Sequence, residues 1–164
     1  PLQQLLGQKV RVTLACRQGH QLLAGRVGMA GRDFLELKVG RRLILIPYRS
    51  LCSIRRKVGG KRPAPQEHRQ ALLNIDPSLR RRLILRFGEV VSADGALMNL
   101  FFGLPLRLKM KDFVGRGVVV ATVRTGTVPV LHGVLEAVGE EALQLNAARR
   151  TERVSFDDIC FVRI

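Results

Sequence analysis

Residues able to do chemistry are few in this chain, and their spacing argues against most chemistries. The three histidines, His20, His68 and His132, stand far apart, and none lies at metal-ligand spacing from a cysteine or an acid. Asp157-Asp158 and Glu140-Glu141 are adjacent pairs. Neighbours on a strand point to opposite faces, so neither pair converges as a general acid and base. Gly59-Gly60-Lys61-Arg62 lacks the leading glycine and the trailing Ser or Thr of a phosphate loop. Cys16, Cys52 and Cys160 are odd in number and form no CxxC motif. They read as reduced thiols of an intracellular, cytoplasmic protein, with Cys52 and Cys160 as small core residues rather than nucleophiles. The expectation is a protein without catalytic residues, cofactor or metal.

What remains is charge. The 164 residues carry 28 Lys and Arg against 13 Asp and Glu, a formal charge of +15 with a pI near 11.4. Such a balance points to a polyanionic partner. The charge is uneven: residues 1–58 hold net +10, residues 59–103 net +3 and residues 104–164 net +2. Arg41-Arg42, Arg49, Arg55-Arg56-Lys57 and Lys61-Arg62 form the clusters. A guanidinium forks onto two phosphate oxygens and an ammonium adds a point charge, so these are the candidate nucleic-acid contacts. A solvated basic face would look the same in sequence. The most nearly unbroken apolar run, residues 96–106, is interrupted by Asn99, Gly103 and Pro105 and is too short to cross a bilayer, so no membrane insertion is expected.

The elements that must position these groups come in duplicate. A shift of 108 lays residues 5–56 over 113–164 without a gap, with 12 identities in 52 positions, among them Gly25/Gly133, Leu35/Leu143, Leu37/Leu145 and Cys52/Cys160. Val27/Leu135, Ile46/Val154, Tyr48/Phe156 and Ile54/Val162 keep an apolar or aromatic side chain. Within each copy the apolar period is two, as in Val10, Val12 and Leu14, which predicts half-buried strands. Glycines at 25 and 28 predict a bend in the second strand, and Pro47 ends the fourth. The fold class is therefore mainly β with a helical insert: two tandem small barrels of five strands. Copy one is assigned to residues 1–58 and copy two to residues 104–164, each opened by a short helix. Residues 59–103 form a linker and a helical insert, with Asp76-Pro77 starting a helix that runs to Val91, a break at Ser92-Ala93-Asp94-Gly95 and a second helix over residues 96–102 stopped by Gly103 and Pro105. Tyr48 is the candidate for base stacking, although Phe156 at its counterpart position favours a packing role.

A short helix followed by five bent strands, with Gly25-Arg26-Val27 and Asp33-Phe34-Leu35-Glu36-Leu37 in copy one, resembles the Sm-like fold of Sm, LSm and Hfq proteins, one of the SH3-like small barrels. Gly133-Val134-Leu135 and Glu141-Ala142-Leu143-Gln144-Leu145 carry it in copy two. The resemblance implies a non-enzymatic RNA-binding role. It also implies pairing of a fourth strand with the fifth of a neighbour, within the chain or in a homo-oligomer. Leu43, Ile44, Leu45 and Ile46, four consecutive aliphatics, are the expected interface. The acidic and amide RNA ligands usual in that family are replaced by Gly31 or Gly139 and Leu35 or Leu143. A second resemblance joins Phe101-Phe102-Gly103-Leu104-Pro105-Leu106 and Ile46-Pro47-Tyr48 to short bacterial Sm-like domains, some linked to spore coats. It implies a structural or assembly role through barrel edges.

Overall fold

The computed structural model describes residues 2–16, 19–57, 76–123, 130–148 and 150–164. The expected linker, His68, Lys61 and Arg62 lie outside them.

Copy one supplies β1 (Lys9–Cys16), β2 (Gly19–Ala30), β3 (Phe34–Val39), β4 (Arg42–Pro47) and β5 (Leu51–Arg56). Copy two supplies β6 (Gly117–Thr122), β7 (Val130–Val138), β8 (Ala142–Ala147), β9 (Arg150–Ser155) and β10 (Ile159–Arg163). All ten strands join one antiparallel sheet in the order β5-β1-β2-β3-β4-β10-β6-β7-β8-β9. The sheet is open, so the strands do not close into two separate barrels. The reason lies at Pro47, after which a 3-10 turn, Tyr48–Ser50, carries the chain from β4 across to β5 on the far edge of copy one. That leaves β4 free to pair with β10.

The 108-residue repeat is exact at the level of irregularities. β2 shifts register between Val27 and Met29, and β7 between Leu135 and Ala137, the equivalent positions. A Cβ on Gly25 would stand 2.8 Å from the Lys38 carbonyl oxygen, and one on Gly133 2.5 Å from that of Asn146. Both glycines are required because the neighbouring backbone passes where a side chain would sit.

The joint between the copies is built by β4 and β10. Leu45 faces Val162 and Ile44 faces Arg163, and Leu43 and Ile164 exchange both backbone hydrogen bonds at 3.1 and 2.9 Å. The Ser50 hydroxyl donates to the Ile159 carbonyl at 3.1 Å, and Arg49 forms an ion pair with Asp157. Side chains cross the joint in both directions. Phe34 and Leu45 of copy one belong to the core of copy two, with Met110, Leu135, Leu143 and Ile159. Ala121 and Cys160 of copy two belong to the core of copy one, with Val12, Leu14, Leu35 and Ile46. Neither core is complete without the other copy.

Cys160 also closes a disulfide with Cys16 at the end of β1, with the two Cα atoms 5.5 Å apart. The expectation of three reduced thiols is corrected here. Strand order brings these two residues together although 144 positions separate them. Cys52, expected in the core, is exposed and free. The thiol argument for a reducing, cytoplasmic compartment loses its footing with that bond.

Among the described residues the insert is helical, with three helices where two were expected: α1 (Pro77–Leu85), α2 (Phe87–Ala93) and α3 (Gly95–Phe101), the last close to the expected second helix. Arg86 leaves helical geometry at φ −142°, so the single helix expected to reach Val91 breaks there. The break turns the Phe87 ring onto Phe101, 5.1 Å between centroids. Asp94 caps α3 by accepting from the Ala96 and Leu97 amides. A fourth helix, α4 (Leu106–Lys111), seals the copy-two core with Leu106 and Met110. It is pinned to copy one, since the Asp33 carboxylate accepts from the Leu106 amide at 2.6 Å and Arg32 donates to the Leu104 carbonyl at 2.8 Å. Copy one opens instead on a 3-10 segment, Leu2–Leu5, whose leucines pack on its core.

Candidate polyanion-binding face

Strand register decides which basic residues can act together. Val10, Val12 and Leu14 of β1 are buried, so Lys9 and Arg11 point to the opposite face and are exposed. Residues paired across an antiparallel ladder share a face. Lys9 pairs with Arg26 on β2, and Arg26 with Lys38 on β3. On the other side the Lys57 amide donates to the Lys9 carbonyl at 3.0 Å, and Arg11 pairs with Arg55 of β5. Lys57, just past the end of β5, thus forms a row with Lys9, Arg26 and Lys38 of β1, β2 and β3, roughly 15 Å long at ordinary strand spacing. Arg11 and Arg55 form a second, parallel row one side-chain repeat away.

Six cations on one face repel one another unless something compensates. Among the described residues none of the six has a carboxylate within ion-pair distance. Only Arg26 is anchored, one nitrogen donating to the Gly7 carbonyl at 2.6 Å. Copy one has just two acids: Asp33 is taken up by α4, and Glu36 lies two residues before Lys38 on β3, at the end of the first row. Glu36 is buried, and its carboxylate lies over Gly28 beside the Lys38 side chain, outside ion-pair distance, so it offsets one end of the row in part. The face therefore presents a concentrated positive potential that a row of phosphates would relieve.

The expected contacts divide on this geometry. Arg55, Arg56 and Lys57 stand at the end of β5, and Arg41 and Arg42 at the turn into β4, on the same end of the sheet and all exposed. Arg55 and Lys57 belong to the rows. Arg56 pairs with Val10 and so lies on the other face, at its rim. Arg49 is spent in the joint, paired with Asp157. Tyr48 is half-buried, its hydroxyl donating to the Gly31 carbonyl at 2.8 Å and its ring against the copy-one core. Leu43, Ile44, Leu45 and Ile46 are covered by β10 within the chain. Sequence reasoning missed Lys9, Arg11, Arg26 and Lys38, which are scattered single cations until register aligns them. The alternation of Lys9 and Arg11 with buried valines was the one available signal.

Copy two does not repeat the face. The positions matching Lys9, Arg11, Arg26 and Lys38 are Gly117, Val119, Val134 and Asn146. Glu136 stands among them, accepting from Asn146 at 2.9 Å. The basic surface is thus a specialisation of one copy of a duplicated frame.

Burial, with the Asp33 charge adding to it, pushes the Tyr48 hydroxyl up to about 12. A tyrosine held neutral in the folded chain but ionising near pH 10 when unfolded contributes stability that is complete below pH 10 and is lost as pH rises toward 12. The melting temperature of the native chain should therefore fall over that interval, and more steeply than that of Tyr48→Phe. Parallel pH profiles for the two proteins would show that the hydroxyl is exposed instead.

Among the described residues no three His, Cys, Asp or Glu side chains group as a metal site, and no helix is long and apolar enough to cross a membrane. No protein-family model matches the chain, and no curated protein does.

Proposed function

We propose that the chain is a non-enzymatic, tandem Sm-like protein that binds RNA, or another extended polyanion, across the basic face of copy one. The observation that carries this reading is the pair of rows, Lys57-Lys9-Arg26-Lys38 and Arg55-Arg11, without an ion pair among the described residues and absent from copy two. Support for an Sm-like unit comes from the strand order 5-1-2-3-4 repeated in each copy and from the β4–β10 pairing. With Tyr48 turned inward, no aromatic platform stands on the face among the described residues, so binding reads the backbone and not the bases. The test is a salt series on labelled single-stranded RNA. If all six cations meet phosphates, the logarithm of affinity falls against that of salt with a slope of about −4. A slope near zero, or no binding at low salt, would remove the proposed function.

A second reading, assembly through sheet edges, rests on a different observation. The 108-residue shift carries β4 onto β9 and β10 onto β5, which are the two open edges of the sheet. An edge-to-edge contact between chains that copied the internal joint would set Glu152 opposite Arg55 and bring Asp157 to Arg49 once more, because those two residues occupy matching positions. β9 has Thr151, Glu152 and Arg153 where β4 has Leu43, Ile44 and Leu45, so such a contact would be polar and salt-sensitive. Sedimentation at low salt separates the cases: mass that grows with concentration and is lost in Glu152→Arg supports assembly, and a monomer at every concentration excludes it.

A further inference from the structure

The helical insert carries a surface that polyanion binding does not use. Ile84 is 77% exposed and Leu85 70% exposed, the two most exposed large apolar side chains among the described residues. Phe87 follows directly, and its ring packs edge-on against Phe101 and Phe102, which is itself 58% exposed. Three aromatic rings and two aliphatic side chains left open in one short segment are more than scattered surface leucines.

Charge surrounds this patch. Arg80 and Arg81 precede Ile84 by four and three residues, and Arg81 precedes Leu85 by four, so both arginines share the helix face of the exposed pair. Neither has a carboxylate partner among the described residues. The nearby acids are engaged: Glu89 faces Arg86 at 3.7 Å, Asp94 caps α3, and Asp76 is held by the Ser78 hydroxyl, which keeps its carboxyl below its usual range.

Three occupants can be weighed. A nucleic acid satisfies arginines and stacks on rings, but gives two branched aliphatic side chains no apolar phase to enter. A second copy would bring Arg80 and Arg81 against their own kind on a chain already at +15. An anionic bilayer surface satisfies both features, taking apolar side chains below the headgroups while arginines extend to the phosphates. We propose that α1 and the Phe87–Phe101–Phe102 cluster form a docking site for an anionic lipid surface. The segment lies on the bilayer and does not cross it.

The 164 residues include no tryptophan, so Leu85→Trp makes a single reporter in this chain. Mixed with phosphatidylcholine vesicles containing about 30 mol% phosphatidylglycerol, its emission should shift to the blue and be quenched by brominated acyl chains. Ile84→Ser combined with Phe102→Ser leaves every charge in place and should weaken vesicle binding about tenfold. Both side chains are exposed, so an unchanged melting temperature verifies the fold. Vesicle binding without a blue shift, and unaffected by the serine pair, would assign it to the basic face and overturn the site. Absence of vesicle binding would overturn it too. A blue shift that grows with protein concentration without lipid would overturn it in favour of a second copy.

Discussion

Leu45→Arg is expected to unfold both copies in one transition at a cost of about 4 kcal/mol or more. Leu45 is fully buried, faces Val162 across the joint and packs into the copy-two core. An arginine there is an unpaired charge in an apolar layer, among the most damaging single changes known. The chain contains its own control. The position equivalent to Leu45 is Arg153 on β9, an exposed arginine on an open edge. Arg153→Leu should therefore alter stability by no more than about 0.5 kcal/mol. Urea titration of both variants, followed by circular dichroism, checks the pair. Equal, small effects would mean that the joint does not close in solution. Two separate transitions in the native chain would mean that the cores do not depend on each other.

Cys16→Ser is expected to lower the melting temperature by about 10 °C, since a cross-link of this kind is worth about 2–4 kcal/mol in practice. The 144-residue separation puts the loop-entropy figure higher still, at about 5 kcal/mol. Reductant should bring the native protein down to the variant's value. Cys52→Ser should change nothing, because Cys52 is exposed and unbonded. Alkylation before reduction should label Cys52 alone. A native melting curve indifferent to reductant would show that the two copies are not stapled.

The period-two apolar pattern made the strands legible because each strand has one face on a core, and the 108-residue shift made the second copy legible from the first. Asp76-Pro77 likewise marked the start of α1. Register was not legible. Lys9, Arg26 and Lys38 lie 12 to 29 positions apart and become neighbours only through backbone pairing. The disulfide was hidden for the same reason, and also because Cys16 has no counterpart in copy two, where Arg124 stands. The aliphatic run of β4 pairs with β10 inside the chain, and the equivalent strand β9 has Thr151, Glu152 and Arg153 in its place. The break at Arg86 left no mark in the helical spacing, since it depends on where the Phe87 ring finds partners.

The most direct test of a basic face, as against mere net charge, compares two variants that change charge equally. Lys9→Glu with Arg26→Glu alters the row on copy one, while Arg150→Glu with Arg153→Glu makes the same change on the exposed edge of copy two. Affinity for single-stranded RNA is measured for each at one fixed salt concentration, with a melting curve to verify the fold. The first variant should lose at least about tenfold in affinity and show a shallower salt slope, and the second should stay within about threefold of the native chain. Equal losses in the two would show that RNA responds only to total charge and that copy one holds no site.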